Sequence, residues 1–240
     1  METAAPRPWL SVVVPALDEA ARIEATVRAV RALPGPPELV VVDGGSRDDT
    51  RERARSLGAR VLDGPRGRGA QLHAGALAAT GDVLWFLHAD TLPPPDALAH
   101  IDAALRDART IGGNFSIRFD GGSAQARRLT WIYRHLRFLG LRYGDSGYFV
   151  RRDAYERAGG FRALPIFEDL DLLRRLQRIG RFVRVPGTVV TSSRRFEGRS
   201  LTVVFAHWTM LQVLFWAGAS PAWLGRRYRD VRGPRTPESP

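Results

Sequence analysis

A chain of 240 residues, 44% of them hydrophobic, is long enough to bury one large core and too apolar to be wholly disordered. It contains no cysteine, and every positive side chain is an arginine. This excludes disulfide frameworks, zinc fingers, iron–sulfur clusters, a Walker A phosphate loop and Schiff-base chemistry. The net charge of +11 and a pI of about 11.2 point to an anionic partner: nucleic acid, an anionic membrane surface or a phosphorylated small molecule.

In chain order, the first half alternates short apolar runs with helical periodicity. METAAPRPWL lacks a basic start followed by an apolar stretch, so no signal peptide is expected. SVVVP (11–15) predicts a strand, and Ile23, Val27 and Val30 share one face of a helix over 19–33. ELVVVD (38–43) predicts a second strand, followed by a helix over 48–57 with Ser46 as its N-cap. ARVLD gives a third strand, GRGAQLHAGALAAT a small-residue helix packed close to its neighbours, and VLWFL (83–87) a fourth strand before a helix over 94–108. Strands apolar at every position and separated by helices predict a parallel sheet covered on both faces. Gly112 and Gly113 in IGGNFSIRF suggest an antiparallel or edge strand. A helix follows over 123–139, then strand, turn and short helix in GDSGYFVRRDAYERAGGF. EDLDLLRRLQRIG turns Leu172, Leu173, Leu176 and Ile179 inward and Arg174, Arg175 and Arg178 outward.

Ligands of such sheets bind at the carboxyl ends of the strands, and here three successive ends carry acids: VVVPALDE, VVVDGGSRDD and LWFLHAD. A single strand-end acid has a simpler explanation, capping the next helix, but three in register are harder to explain that way. Strand-end carboxylates can accept from a base or ribose, or hold a divalent cation that binds phosphates. The glycine fingerprint of dinucleotide-binding folds is missing, since GPRGRG has the wrong spacing.

In order and spacing these motifs resemble those of family 2 glycosyltransferases, inverting enzymes that use nucleotide sugars, and the resemblance runs from about Ser11 to Gly180. VVPALDE is similar to the family's first-strand motif, with Asp18 in its Asn position. VVVDGGSRDDT is similar to its Val-Asp-Asp-Gly-Ser motif, with Gly44 in place of the second Asp. LHAD is similar to Asp-x-Asp with His88 replacing the first acid, and IFEDLDLLRRLQRIG to the acceptor-side Glu-Asp segment. The resemblance implies an α/β GT-A nucleotide-binding sandwich with a mostly parallel sheet flanked by helices, plus a C-terminal apolar helix. Residues 9–190 then form the transferase domain; the residue pattern of 191–225 reads as a basic loop and an apolar helix, interfacial to the membrane or buried as a packing helix, and the basic, Pro-rich composition of 226–240 as a disordered tail.

The resemblance also implies roles. Asp169 becomes the general base, with Glu168 orienting it or the acceptor and with Arg174 and Arg175 nearby to keep it ionised. Pro15, Ala16, Leu17, Glu19, Asp43, Arg68, Gly69, His88, Arg194 and Arg195 would line the nucleotide-sugar site, with Asp43 accepting from the base. Asp90 would hold a divalent metal, Mn²⁺ or Mg²⁺, and His88 a ribose hydroxyl or the metal. Competing readings are an N-cap role for the Glu-Asp pair, a satisfied strand-end histidine for His88, and an ordinary basic loop for Arg194 and Arg195. Leu201–Ser220 carries Trp208 and Trp216, with Trp223 and RRYR just beyond. That pattern suits an interfacial helix better than a spanning one.

The expected reaction moves a sugar from a nucleoside-diphosphate sugar, UDP favoured, to a hydroxyl or carboxyl acceptor. A lipid-like acceptor fits the apolar C-terminal segment, and within the family the chain most resembles the short members grouped with carotenoid glucosyltransferases. The enzyme would lie in the cytoplasm, peripheral on the inner face of the cell membrane. Nucleotidyl transfer on a related fold and a catalytically impaired nucleotide- or membrane-binding relative are the alternatives. Nucleic acid is not an expected partner, because no basic–aromatic motif accompanies the charge.

Overall fold

The computed structural model describes residues 8–138, 144–196, 198 and 200–232. The chain runs β1 (Leu10–Ala16), α1 (Ala20–Arg31), β2 (Glu38–Asp43), α2 (Thr50–Ser56), β3 (Arg60–Asp63), α3 (Arg68–Ala78), β4 (Val83–Phe86), β5 (Thr91–Leu92) and α4 (Ala97–Leu105). There follow β6 (Thr110–Phe119), α5 (Ala124–Phe138), β7 (Phe149–Arg151), α6 (Arg152–Arg157), α7 (Glu168–Leu176), β8 (Arg181–Thr191), α8 (Leu201–Trp216) and α9 (Pro221–Arg232). All eight strands form one sheet, ordered β3-β2-β1-β4-β7-β6-β8-β5.

The first four strands pair in parallel, as their uniformly apolar sequences predict. Side chains alternate between two cores: Val12, Val14, Leu39 and Val41 enter one with α1, α2, α4 and α5, and Val13, Val40 and Val42 enter the other with α3, α6 and α7. The small-residue character of α3 has a direct steric cause. A Cβ on Gly75 would lie 2.4 Å from Val13 Cγ1 and 2.8 Å from Val42 Cγ2, so glycine lets the helix rest on β1 and β2.

The second half adds antiparallel pairs, β4–β7, β6–β7 and β5–β8, so the sheet is mixed at that end. Of the two alternatives read from Gly112 and Gly113, the antiparallel one holds, since β6 pairs antiparallel with β7, whereas the edge position is corrected, because β6 lies inside the sheet between β7 and β8. Its glycines serve close approach: a Cβ at 112 would sit 2.4 Å from the Phe149 carbonyl oxygen, and one at 113 would sit 2.6 Å from Phe149 Cζ.

The apolar C-terminal segment folds as a hairpin, α8 followed by α9. With 16 residues α8 is about 24 Å long, short of a bilayer core. No helix among the described residues is long and apolar enough to cross a membrane. Phe196 and Val204 join the main core, which therefore continues past residue 190. The disordered tail expected from 226 is also corrected: residues 226–232 continue α9, whose Leu224 and Tyr228, one turn apart, pack with Leu211 and Ile166. Residues 233–240 lie outside the described ones.

Gly112→Ala should lower the unfolding free energy by about 2 kcal/mol, since the atom it would crowd is backbone and cannot turn away. Gly122→Ala, with nothing within 4 Å of its Cβ position, should leave the denaturant midpoint unchanged.

Candidate active site

The parallel register brings the ends of β1, β2 and β4 to one side of the sheet, aligning Ala16 with Asp43 and Val13 with Phe86. Beyond those ends the chain is tied by its own polar groups. The Ala16 carbonyl accepts from Gly44 N at 2.9 Å and from Gln71 Nε2 at 2.8 Å, and the same amide donates to the Val42 carbonyl at 2.9 Å. Gln71 was not singled out in the sequence, although it lies within the small-residue helix. It also accounts for Gly44, since a Cβ there would lie 2.9 Å from Gln71 Nε2. Pro15 and Leu17 flank Ala16, half-buried at the mouth of the cleft.

Asp43 is 1% exposed. Its carboxylate accepts from Gly45 N at 3.0 Å, Ser46 N at 2.9 Å and the Ser46 hydroxyl. It shapes the turn after β2 at the end of the strand. Ser46 is correspondingly not the cap of α2, which starts after Asp49. Asp18 takes a left-handed backbone, φ 54°, which an Asp or Asn tolerates, and its Oδ1 accepts from Arg47 N at 2.9 Å.

Two ionic groupings stand above the strand ends. In the first, the Arg68 Nε donates to Glu168 Oε1, Arg68 Nη2 lies 3.7 Å from Asp169 Oδ2, and Arg68 Nη1 lies 3.4 Å from His88 Nε2. Burial alone would lower the Arg68 pKa, but Glu168, Asp169 and then Asp145 reverse that and hold it above the ordinary arginine value. Glu168 and Asp169 are 3% and 7% exposed in the first turn of α7, and Phe167 is the cap residue. The carboxylate pair is therefore not the cap of this helix. The expected partners Arg174 and Arg175 are corrected. Arg175 pairs with Asp171 one turn earlier at 2.6 Å, Arg174 is exposed, and the cation beside Asp169 is Arg68. Gly69 lets α3 approach α7: a Cβ there would lie 2.4 Å from the Arg162 carbonyl oxygen and 3.1 Å from Glu168 Cβ. Asp145 was missed in the sequence, although it stands in the GDSGYF motif.

In the second grouping Arg194 donates to both oxygens of Glu19 and lies 3.7 Å from Asp90 Oδ2. Burial raises the Glu19 pKa, Arg194 opposes this, and Asp90 adds to it. The segment carrying Arg194 is held by Asp120, whose Oδ1 accepts from Ser193 N at 2.7 Å. The side chain of Arg195 lies outside the described residues. Among the described residues, no group of three or more His, Asp or Glu side chains is placed so that it could hold a metal ion on its own. Asp90 and Glu19 do meet at one cation, and two hard oxygen donors suit Mg²⁺ or Mn²⁺ when phosphate oxygens and water complete the shell. His88 lies beside Arg68.

A mixed sheet whose four parallel strands end at two clusters of acid and arginine, covered by helices on both faces, has the architecture of the GT-A α/β sandwich. The family model for glycosyl transferase family 2 matches residues 11–162. The chain belongs to that family. Among curated relatives, the glucosyl-3-phosphoglycerate synthase of Mycobacterium tuberculosis is 36% identical over 96 residues, 35% of this chain and 30% of that protein. The glycosyltransferase AglE of Haloferax volcanii is 27% identical over 176 residues, 64% of this chain and 56% of that one. The chain thus matches about a third and about half of their lengths. A crystal structure of the Mycobacterium tuberculosis synthase with Mn²⁺, UDP and phosphoglyceric acid superposes with a TM-score of 0.61 at 24% identity, over 89% of this chain and 80% of that one. The mannosyltransferase PcManGT of Pyrobaculum calidifontis, bound to GDP-mannose and Mn²⁺, gives 0.68 at 20% identity, over 88% and 64%. At these identities the likeness is one of fold.

Arg68→Met would remove the guanidinium that Glu168 and Asp169 share. We expect a loss of about 2 kcal/mol in chemical unfolding at neutral pH, less than for a fully buried pair because the Arg68 side chain keeps 34% exposure. Arg60→Met, where the arginine is half-exposed and Glu38 keeps Ser11 and Thr80 as donors, should change stability by less than about 0.5 kcal/mol.

Proposed function

We propose that the chain transfers a sugar from a nucleoside-diphosphate sugar to a hydroxyl or carboxyl acceptor with inversion at C1. The observation that supports this best is the buried Glu168–Asp169 pair, held by Arg68 at the mouth of a GT-A cleft. Asp169 takes the acceptor proton as the acceptor oxygen attacks C1. A C1–O bond forms, the C1–O bond to the diphosphate breaks, and its electron pair leaves with the diphosphate. Glu168, hydrogen-bonded to Arg68, orients that guanidinium beside Asp169.

The negative charge developing on the leaving group needs cations. Arg194, next to Asp90 and Glu19, is one within the chain. Asp90, with Glu19 beside it, would hold the divalent metal, which when bound neutralises diphosphate charge. His88, against Arg68, is suited to a ribose hydroxyl. A UDP-sugar is the favoured donor, in keeping with UDP in the complex of the Mycobacterium tuberculosis synthase, while GDP-mannose in the Pyrobaculum calidifontis complex makes it the comparison to run.

The acceptor side is read from α8. Val203, Met210, Val213 and Trp216 are 63%, 49%, 53% and 47% exposed, a large apolar stripe facing away from the core. On α9 the Arg227 guanidinium lies 5.1 Å from the centre of the Trp223 ring. An apolar stripe next to tryptophan and arginine suits an anionic bilayer surface. Peripheral membrane contact and a lipid-like acceptor, a carotenoid being its narrowest form, follow from that reading.

Assayed by nucleotide release from UDP-glucose and GDP-mannose with Mn²⁺, Asp169→Asn should lose at least about 100-fold in kcat. Full activity in that variant would refute the base. Chelation and Asp90→Ala should each weaken UDP binding in calorimetric titration, and affinity indifferent to both would remove the metal site. Met210→Glu with Val213→Glu should abolish co-sedimentation with phosphatidylglycerol vesicles, and equal binding by wild type and variant would refute the membrane surface.

A further inference from the structure

The residue that opens α7 has a backbone conformation its side chain does not favour. Phe167 sits at φ 62°, ψ 24°, a left-handed position usually left to Gly or Asn and strained for a bulky residue. Its carbonyl accepts from Asp171 N at 2.9 Å, so its dihedrals set the direction of the first turn of α7. Glu168 and Asp169 are the next two residues.

Something outside the loop must hold a strained residue in place, and here it is the C-terminal hairpin. The Phe167 ring packs on Phe215 of α8 with centroids 5.2 Å apart. Ile166, one residue earlier, is buried with Leu211 of α8 and Leu224 of α9, both 0% exposed. One residue before that, Pro165 meets the backbone of α9: a Cβ on Gly225 would lie 2.6 Å from Pro165 Cβ. Three consecutive residues ahead of the carboxylate pair are therefore gripped from one side by α8 and α9. The N-terminal half of α8 belongs to the main core through Val204, Phe205 and Trp208. The C-terminal half and α9 form a separate small cluster, completed by Ile166 and Phe167.

We infer that the α8–α9 hairpin positions the carboxylate pair: by holding Pro165, Ile166 and the left-handed Phe167, it aims Glu168 and Asp169 into the cleft, and Phe215 is a positioning residue. The inference rests on the reading of Asp169 as the base. Through Pro165, Ile166 and Phe167 the hairpin would serve the chemistry from behind α7, with Phe215 acting on the carboxylate pair only through Phe167.

The test compares full-length Phe215→Ala, Phe215→Tyr and Asp169→Asn with the wild type, using UDP-glucose with Mn²⁺ for kinetics and UDP with Mn²⁺ for binding. Phe215→Ala should lower kcat by about 10- to 100-fold, the cost of a displacement near 1 Å at a reacting group. The KM for UDP-glucose and the UDP affinity should stay within about twofold, and Phe215→Tyr should restore kcat. Amide exchange, which needs no turnover, should quicken in Phe215→Ala over residues 167–172 and remain unchanged in β1, β2 and β4. A Phe215→Ala variant with wild-type kcat, alongside an inactive Asp169→Asn, would overturn the positioning role and leave the base intact. Exchange quickened equally across the sheet, with UDP affinity lost in parallel, would make the hairpin a general stabiliser and overturn the inference. If Asp169→Asn kept its activity, or UDP-glucose were not turned over, exchange over 167–172 would decide: unchanged protection there in Phe215→Ala would refute the inference.

Discussion

Two carboxylates in adjacent positions of a helix start, both nearly out of water, repel each other unless a cation stands between them. Arg68 is that cation, and the site is organised around getting it to Glu168 and Asp169 across 100 residues of sequence. The first half of the chain places the arginine. It lies in the first turn of α3, just after Gly67, and α3 is seated on β1 and β2 by the missing side chain of Gly75. The second half places the carboxylates, through the left-handed Phe167 and the elements packed behind it. His88 and Asp145 complete the surroundings of the same guanidinium.

Arg194 repeats the arrangement in a second grouping, with Glu19 and Asp90 as the acids. The two arginines differ in what holds them. Arg68 belongs to a helix packed on the sheet, whereas Arg194 follows the end of β8 and is steadied by the contact of Ser193 with Asp120. The arginine on α3 lies beside the proposed base, and the one on the short 3-10 turn after β8 lies beside the proposed metal ligands.

The parallel half of the fold was legible because burial on both faces leaves an unmistakable trace: Val12 to Val14 and Leu39 to Val42 have no polar face. The motif order was likewise sufficient for the family. What local pattern could not give were contacts decided by tertiary geometry. Arg174 and Arg175 stand closest to Asp169 in sequence, yet helix periodicity delivers Arg175 to Asp171, and the cation that matters comes from another helix. Gly112 and Gly113 look like weak strand formers, and the reason for them, the close approach of Phe149, exists only once β7 is in place. Gly44 looks like a lost acid until Gln71 is seen above it. The start of the tail was misplaced because Leu224 and Tyr228 become a helical face only against Leu211 and Ile166.

The sheet order has a consequence for how the protein is made. β8 lies between β6 and β5, although it is the last strand synthesised. When the first 180 residues have emerged, β6 therefore has an open side, lined by backbone groups ready to pair with another chain. The 11 residues of β8 close that edge and, by ending beside Asp120, carry Arg194 to the cleft. Protection from aggregation and delivery of the last charged group to the site thus come from the same late segment of the nascent chain.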